Sequence, residues 1–196
     1  MGQVETTRTA EPHSIPLLVE RIKEGDREAF MAITRFYQKK VYLLAYSYLR
    51  NNEDALDIVQ DTFLRLYQKV DMFRSEKNFQ TWLLQIAKNL CIDYYRKNYS
   101  RSKAYRSDED VEEVRMPAQD DENSHSFSDV ERVFTKCLDR LTEKQRLIFV
   151  MKHYNNLEYK EIAQILRISV GTVKSLHFKA VQNLRALMSP YMGEQI

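Results

Sequence analysis

The chain has 196 residues, of which 43% are hydrophobic and 30% are charged, and its formal net charge is +2. This length and composition predict one or two small folded domains, and the absence of a long apolar run excludes a membrane-spanning protein and a signal peptide. The cysteines, Cys91 and Cys137, stand alone without the spacing of a zinc site, which is compatible with a reducing compartment.

The placement of turn-forming residues predicts an all-α fold. No proline occurs between Leu17 and Met116, and no glycine occurs between Asp26 and Val170. Sheets need such residues at short intervals, whereas helices do not. We therefore expect two small helical domains, joined by a flexible acidic linker, with a helix-turn-helix in the second domain.

The N-terminal part begins with a polar, aperiodic segment, residues 1–14, which we predict to be a disordered tail. The first domain is predicted to span residues 15–104. Its helices are expected at about residues 17–23, 27–49, 53–70 and 79–99. Pro16 suits the first turn of the first helix, Gly25 ends that helix, and Asp26 can cap the second. A polar loop, residues 71–78, separates the last two helices.

The composition changes after the fourth predicted helix. Residues 108–122 contain eight acidic residues, one basic residue and Pro117, with no apolar period. Residues 105–126 are therefore predicted to be a flexible, anionic linker. The second domain is predicted to span residues 127–190 as four short helices. Within it, Thr142 and Gln145 suggest a capping box before the apolar run at residues 147–151.

The segment from Asn155 to Leu187 has the pattern of two helices joined by a tight turn. Its first helix has an apolar stripe, and Ser169 can cap the second helix. An ordinary helical hairpin would show the same pattern. However, residues 162–193 contain four basic side chains and no acidic one, and a face of one sign favours phosphate. We therefore predict a DNA-binding helix-turn-helix, whose second helix enters the major groove.

The fourth predicted helix and the residues after it carry alternating basic and aromatic side chains, among them Lys88, Arg96, Lys97 and Tyr95. Cations follow a phosphate backbone, and aromatic rings stack on unpaired bases. The loop before this helix offers polar groups and rings that could hold a base turned out of the stack. The alternative is a basic helix end whose tyrosines belong to the core or the surface.

The third predicted helix has an acidic face. Asp54, Asp57 and Asp61 lie at spacings that share one side of a helix, and this side would suit a basic partner. Acidic residues also favour a helix N-terminus because they complement its dipole. That alternative explains Asp54 but not Asp61, which lies two turns further along.

Catalytic chemistry has little support in the sequence. The four histidines are scattered, and there is no nucleophile elbow, phosphate-binding loop or metal-ligand cluster. The acidic residues crowd the predicted linker, where nothing would hold them rigidly. We therefore expect a protein that is not an enzyme, with no catalytic residues, cofactor, metal or small-molecule substrate.

Three ordered stretches of the sequence resemble the extracytoplasmic-function (ECF) sigma factors, the two-domain class of bacterial transcription initiation factors. Residues 54–63, DALDIVQDTF, are similar to the family's D-A-E-D-x-x-Q-E/D-x-F segment. Residues 79–89, FQTWLLQIAKN, followed by Asp93 and Arg96, are similar to F-x-x-W-L-x-x-I-A-x-N-x-x-x-D-x-x-R. Glu161-Ile162-Ala163 and residues 170–175, VGTVKS, are similar to E-I-A and G-T-V-K-S.

The resemblance implies three binding sites. The site for the clamp helices of core RNA polymerase comprises Asp54, Asp57, Gln60, Asp61 and Phe63. The site for the melted −10 element comprises Arg74, Asn78, Trp82, Lys88, Asn89, Arg96 and Lys97. The site for the duplex −35 element comprises Ser169, Thr172, Lys174, Ser175, Phe178 and Lys179. The linker would run toward the polymerase's RNA exit path.

The chain departs from the family's usual residues at several positions. Leu56 replaces a glutamate on the docking face, and Arg167 occupies a turn position that is usually glycine. Leu176 and Val181 stand where the readout helix commonly has arginines. A bidentate arginine–guanine contact contributes about 1–3 kcal/mol, so we expect an unusual −35 sequence or a weaker readout.

The resemblance implies that core RNA polymerase and promoter DNA are the partners, that an anti-sigma factor can be a third, and that the protein is cytoplasmic and nucleoid-associated. The first alternative is a dimeric helix-turn-helix regulator that does not bind polymerase, which would need a symmetric interface. No dimerisation heptads are evident in the sequence. The second alternative, a helical interaction protein without nucleic acid, conflicts with the basic C-terminal segment.

Overall fold

The computed structural model describes residues 15–74, 78–99 and 129–192. The predictions for the tail (1–14), the linker (105–126) and the adjoining residues 100–104 and 127–128 lie outside this range. Within it, the chain is helical and contains no strand. The helices are α1 (Ile15–Lys23), α2 (Arg27–Leu49), α3 (Asn52–Lys69), α4 (Phe79–Tyr99), α5 (Asp129–Asp139), α6 (Glu143–His153), α7 (Tyr159–Leu166) and α8 (Val170–Met192).

Local signals set the boundaries of the N-terminal helices. Gly25 adopts a φ of +86° after α1, and the Asp26 carboxylate accepts hydrogen bonds from the backbone of Glu28 (2.8 Å) and Ala29 (3.2 Å) at the start of α2. Asn51 caps α3 in the same way, because its side-chain oxygen accepts from the Asp54 backbone at 3.0 Å. These bonds satisfy N–H groups that would otherwise lack partners.

The N-terminal domain packs α1 to α4 around an aliphatic core. α2 is its central element, because it contacts α1, α3 and α4. Each large aliphatic side chain that is fully buried contributes roughly 1.5–3 kcal/mol relative to an exposed one. The fully buried side chains include Ile33, Leu44, Ile58, Leu66, Leu83 and Leu84. A short 3-10 turn, Val70–Met72, follows α3 and leads to the loop before α4.

The C-terminal domain packs α5, α6 and α7 against the long helix α8. The Thr142 hydroxyl accepts from the Gln145 backbone at 3.4 Å, which matches half of the predicted capping box. The other half of that prediction is wrong, because the Gln145 side chain accepts instead from Asn183 of α8 at 3.2 Å. A capping-box contact is found instead at the start of α7, where the Glu161 carboxylate accepts a hydrogen bond from the Glu158 backbone at 2.8 Å.

The last helix is longer than the sequence pattern predicts. We expected four short helices in the C-terminal domain, whereas α8 has 23 residues and ends at Met192. Its first half packs through Val173 and Ala180, which are fully buried. Beyond Leu184, Leu187 and Met188 still pack against the core while only partly buried. Helix α8 then continues past the last residue of the predicted apolar stripe, Leu187.

The two domains pack against each other. A single hydrophobic cluster includes Tyr37 and Leu84 from the N-terminal domain and Leu147, Met151 and Ile162 from the C-terminal domain. α2 lies against α6, and α4 lies against α7. The structure therefore has one shared core, which the sequence prediction of two tethered domains did not include.

Candidate nucleic-acid interface

The helix-turn-helix geometry is built by two backbone features. Arg167 ends α7 in the left-handed conformation, with φ 55° and ψ 45°. Ser169 then caps α8, because its hydroxyl accepts from the Thr172 backbone at 3.0 Å. The predicted turn and its N-cap are therefore present, and α8 begins at Val170 as the geometry requires.

The side of α8 that faces away from the core carries the residues predicted to contact the −35 duplex. These residues are Ser169, Thr172, Lys174, Ser175, Phe178 and Lys179, and all of them are exposed. Phe178 is 64% exposed, which is unusual for a phenylalanine. An exposed ring on a polar, cationic face can meet the methyl group of a thymine.

His177, which lies between Leu176 and Phe178, does not belong to this open face. Its Nδ1 lies 3.1 Å from the Tyr159 hydroxyl, and its Nε2 lies 2.9 Å from Nε2 of His153. Burial and the charge of Lys152 lower the pKa of both histidines, and His153 lowers that of His177 further. His177 therefore braces α8 against α6 and α7. Nothing local in the sequence indicated this role, because the three side chains come from three helices.

A cationic cavity of about 300 Å³ flanks the start of α8. Lys152, Lys160 and Lys174 line it, together with Glu158, Tyr159 and Val170, so cations outnumber the single carboxylate. The Lys152 ammonium lies 5.0 Å from the Tyr159 ring centroid and donates to the Leu157 carbonyl at 3.1 Å. Lys152 and Lys160 were missing from the sequence prediction. They precede the segment without acidic residues, and Glu158 and Glu161 nearby obscure their contribution to the charge pattern.

On α4, the residues predicted to contact the −10 element fall into two groups. Arg74, Asn78, Asn89, Arg96 and Lys97 are exposed. Trp82 is partly buried against Phe73 and Phe79, with ring centroids 5.1 and 5.9 Å away. Lys88 is only 7% exposed, and burial and the nearby Arg167 lower its pKa.

The N-terminal end of α4 borders a second cavity, with a volume of about 380 Å³. Phe73, Asn78 and Phe79 line one side, and Tyr37 and Lys40 of α2 line another. Asn78 also caps α4, since its side-chain oxygen accepts from the Thr81 backbone at 3.1 Å. The cavity combines aromatic walls with hydrogen-bonding groups, which is the combination that binds a flipped base.

The acidic side of α3 is open for its first three turns. Asp57, Gln60 and Asp61 are exposed there. Asp54 instead accepts a hydrogen bond from the Tyr94 hydroxyl of α4, and Phe63 is buried in the core. Leu56 and Leu64 are 52% and 54% exposed on this helix, so its outer surface combines apolar and acidic groups.

The described part of the chain contains no assembled metal site, and its two thiols are buried. No group of three or more His, Cys, Asp or Glu side chains in residues 15–74, 78–99 and 129–192 could hold a metal ion. Both cysteines are free and buried. Burial raises the pKa of Cys91 to about 12 and also raises the pKa of Cys137. In the same residues, no helix is long and apolar enough to span a membrane.

Two domain families match the chain in the order that the geometry suggests. The Sigma-70 region 2 profile matches residues 34–101, which cover α2 to α4. The Sigma-70, region 4 profile matches residues 131–184, which include the helix-turn-helix. Each match therefore falls on one of the two helical domains.

Similar proteins span nearly the whole chain. The ECF RNA polymerase sigma factor SigW of Bacillus subtilis is 34% identical over 176 residues, which cover 85% of this chain and 92% of that protein. The ECF RNA polymerase sigma-E factor of Haemophilus influenzae is 32% identical over 185 residues, which cover 89% of this chain and 95% of that protein.

Among solved structures, the sigma factor RpoE of Bartonella quintana, in complex with the anti-sigma factor NepR, superposes with a TM-score of 0.65. The sequence identity is 25%, and the match covers 82% of this chain and 96% of that one. CnrH, in complex with the cytosolic domain of CnrY, shares the fold with a TM-score of 0.64 at 22% identity. From the two domain matches and the similarity to these relatives, we conclude that the chain belongs to the ECF RNA polymerase sigma factors and is a transcription initiation factor.

Proposed function

We propose that this sigma factor reads a promoter through two separate surfaces, one on α8 and one on α4, and docks on core RNA polymerase through α3. The observation that carries the proposal is the separation of charge between these surfaces. Asp57 and Asp61 form the exposed acidic side of α3, whereas the exposed sides of α4 and α8 carry cations. Opposite charges suit different partners, since phosphate attracts the cationic surfaces and repels the acidic one.

The −35 surface would bind duplex DNA in the major groove. Thr172, Ser175 and Phe178 are the proposed base contacts, and Lys174 and Lys179 are the proposed phosphate contacts. The lysine cavity beside α8 extends the phosphate surface, because Lys152 and Lys160 lie next to Lys174. With Leu176 and Val181 at two positions where the family's readout helix commonly has arginine, apolar and hydroxyl contacts would carry more of the specificity.

The −10 surface would hold melted DNA. Arg96 and Lys97 are the proposed backbone contacts at the C-terminal end of α4, and Asn89 lies between them and the aromatic cluster. The cavity at Phe73, Asn78 and Phe79 is the proposed pocket for a base turned out of the stack. Its aromatic walls can form apolar contacts with a base, and its amide groups can hydrogen-bond to the edge of one.

The docking surface on α3 would bind a basic surface of the polymerase through Asp57, Gln60 and Asp61. Leu56 and Leu64 extend it with apolar contacts, so the loss of one acidic group at position 56 is offset by apolar burial. Asp54 and Phe63 would support this surface from behind. The Asp54 contact with Tyr94 ties α3 to α4, and Phe63 anchors α3 in the core.

We also propose domain boundaries at residues 15–104 and 127–190, with residues 105–126 as the connection. The ends of α4 at Tyr99 and of α5 at Asp129 support these boundaries. The similarity to a sigma factor that was solved with an anti-sigma factor supports a protein inhibitor as a further partner. A factor with these partners would act in the cytoplasm, associated with the nucleoid.

Reconstitution with bacterial core RNA polymerase tests the proposal. The purified chain should co-elute with the polymerase, and the complex should select promoter fragments from genomic DNA and transcribe them in a run-off assay. Polymerase alone is the control. Failure of the chain to bind the polymerase would contradict the docking assignment, whereas binding without promoter selection would contradict the assignment of the two DNA surfaces.

A further inference from the structure

A series of polar contacts connects the lysine cavity to the pair of histidines between α6 and α8. Nε2 of His177 lies 2.9 Å from Nε2 of His153, and Nδ1 of His177 lies 3.1 Å from the hydroxyl of Tyr159. Tyr159 also lines the cavity, next to Lys152, whose ammonium lies 5.0 Å from the centroid of the Tyr159 ring. Tyr159 and Lys152 therefore belong both to the cavity and to the surroundings of the histidines.

The array formed by Tyr159, His177 and His153 can hold one added proton without losing a contact. When both rings are neutral, one hydrogen lies between the two Nε2 atoms, and another lies between Nδ1 of His177 and the Tyr159 oxygen. An added proton makes one ring a cation, which donates through its Nε2 to the ring that remains neutral. A second proton would place hydrogens on both Nε2 atoms and break their contact. The geometry therefore favours a singly protonated array over a doubly protonated one.

The charges around the array keep it neutral in the free chain near pH 7. Burial and Lys152 lower the pKa of both rings below the usual value of 6.5, and His153 adds to this effect on His177. Besides the array itself, the charged groups that line the cavity are Lys152 of α6, Glu158 and Lys160 around the start of α7, and Lys174 of α8. This excess of positive charge opposes protonation of the rings and attracts an anion.

An anion in the cavity would reverse this balance. A phosphate group of DNA is the anion that this surface would meet, because Lys174 belongs both to the cavity and to the exposed side of α8. A phosphate beside Lys152 would offset the positive charge that lowers both pKa values, and a negative charge nearby favours a protonated ring. Such a linkage is reciprocal, so a proton that is bound more tightly in the presence of DNA also strengthens the binding of DNA.

We propose that the array takes up one proton from the solvent when a DNA phosphate enters the lysine cavity, and that duplex binding by the C-terminal domain therefore strengthens as the pH falls from 7 toward 6. The proton is held on a ring nitrogen, and its charge adds to that of the three lysines beside the phosphate. The source of the phosphate rests on the proposed −35 surface. The link between the anion and the proton rests only on the cavity and the array.

The protonation of the rings can be measured by NMR in the full-length chain. The chain has four histidines, so after His13→Gln and His125→Gln only His153 and His177 contribute ring signals. The shifts of these signals over a pH series give the pKa of the pair, with and without a saturating amount of a short DNA duplex of fixed sequence. Because the two rings interact, the result is read as the apparent pKa values of the pair. We expect the duplex to raise the first of them.

Duplex affinity over the same pH range is the second measurement. Fluorescence anisotropy at constant salt should show the affinity rising about fivefold from pH 7 to pH 6, the lower end of the usual range of coupling between two sites. His177→Gln should remove most of this rise, because one ring of the array is lost. Lys160→Gln should reduce it, since the phosphate is held less firmly. Lys144→Gln removes one exposed positive charge of α6 outside the residues that line the cavity, and it should leave the rise unchanged. Far-UV circular dichroism checks that each variant is folded at each pH.

A titration with inorganic phosphate at constant ionic strength separates this inference from the proposed function. If the chain bound the duplex and the pKa of the pair did not rise, the inference would be wrong and the −35 surface would stand. If the chain failed to bind the duplex, the −35 surface would be wrong, and inorganic phosphate would decide the inference. A rise in pKa that Lys160→Gln abolishes would then support the link between anion and proton, and an unchanged pKa would overturn it.

Discussion

Arg167 occupies a backbone conformation that glycine adopts at lower cost. Its φ of 55° is left-handed, and the usual cost of this conformation for a residue with a Cβ is roughly 1–2 kcal/mol. The same side chain places a positive charge near the buried Lys88. Arg167 therefore both strains its turn and places a like charge near Lys88, at the joint between α7 and α8.

We predict that Arg167→Gly stabilises the chain by about 1 kcal/mol, because the relief of backbone strain exceeds the added entropy of the unfolded chain. Urea denaturation followed by circular dichroism measures this change. Arg185→Gly, inside α8, is the contrasting variant and should destabilise by a similar amount, since helix interiors disfavour glycine. A loss of stability in Arg167→Gly would contradict the strain argument.

Lys174 is exposed on the readout helix beside the lysine cavity. We predict that Lys174→Ala weakens duplex binding and reduces the slope of log affinity against log salt by about 0.9, the value for one phosphate contact. Fluorescence anisotropy over a salt series gives the slope. Lys136→Ala, an exposed change on α5, is the control. An unchanged slope for Lys174→Ala would remove this residue from the phosphate contacts.

At the scale of the element, α3 presents an acidic and apolar face that the fold leaves open. We predict that Asp61→Arg impairs holoenzyme assembly while leaving the fold intact, because Asp61 is exposed and the substituted charge would repel a basic partner. Co-elution with core polymerase is the measurement. Asp71→Arg makes the same charge change at an exposed position beyond α3, and its assembly should remain normal. Normal assembly of both variants would contradict the assigned docking face.

The contact of His153 with His177 makes the packing of α6 against α8 sensitive to pH. A single hydrogen bond between the two Nε2 atoms needs one of them unprotonated, and both pKa values lie below the usual value of about 6.5. Because folding favours the neutral rings, their contribution is fully present above pH 6.5 and is lost as the pH falls below it. Lys152 adds a fixed positive charge that opposes protonation, and Tyr159 holds His177 in place.

We therefore predict that the free energy of unfolding decreases as the pH falls from 7 toward 5, and that His177→Gln reduces this dependence. Chemical denaturation at a series of pH values measures it. The variant also loses its contacts with Tyr159 and His153, so its stability at pH 7 should be lower as well. A dependence on pH equal to that of the unmodified chain would show that other groups are responsible.

The sequence predicted the helices well where a single local signal decides a boundary. Asp26 and Ser169, the two predicted N-caps, lie directly before α2 and α8 and accept backbone hydrogen bonds there. The prediction failed where a side chain forms a hydrogen bond to a residue far away in the sequence and not to its expected local partner. Gln145 bonds to Asn183 of α8 and so does not close the predicted capping box. Asp54 also accepts a hydrogen bond from Tyr94 of α4, a contact between helices that its spacing with Asp57 did not indicate.

At the scale of the whole molecule, the packing of the two domains against each other could not be predicted from the sequence. Arg146 bonds to a carbonyl 99 residues away, and Thr81 bonds to a side chain 80 residues away. Each is an ordinary polar residue in its own helix, and no period or motif marks it as an interface residue. The burial of Lys88 follows from the same packing, so its environment could not be derived from the basic pattern of α4.

The prediction at this scale concerns the stability of the chain and the buried side-chain amide of Asn155. Asn155→Leu should stabilise the chain by about 1–3 kcal/mol, because an unpaired polar group is replaced by an apolar one of similar size. Asn156→Asp, at the exposed neighbouring position, is the control. Chemical denaturation measures the change, and a loss of stability in Asn155→Leu would contradict the argument that the buried amide is unpaired.

The burial of both cysteines bears on how an oxidant could influence this transcription factor. Oxidation begins with a thiolate at the surface, and Cys91 and Cys137 are protonated and shielded, one in each domain. We expect a thiol reagent to label neither residue at an appreciable rate until the chain is denatured. Oxidative stress would therefore leave both thiols unchanged, and any thiol-based redox response of its promoters would have to be sensed by another molecule.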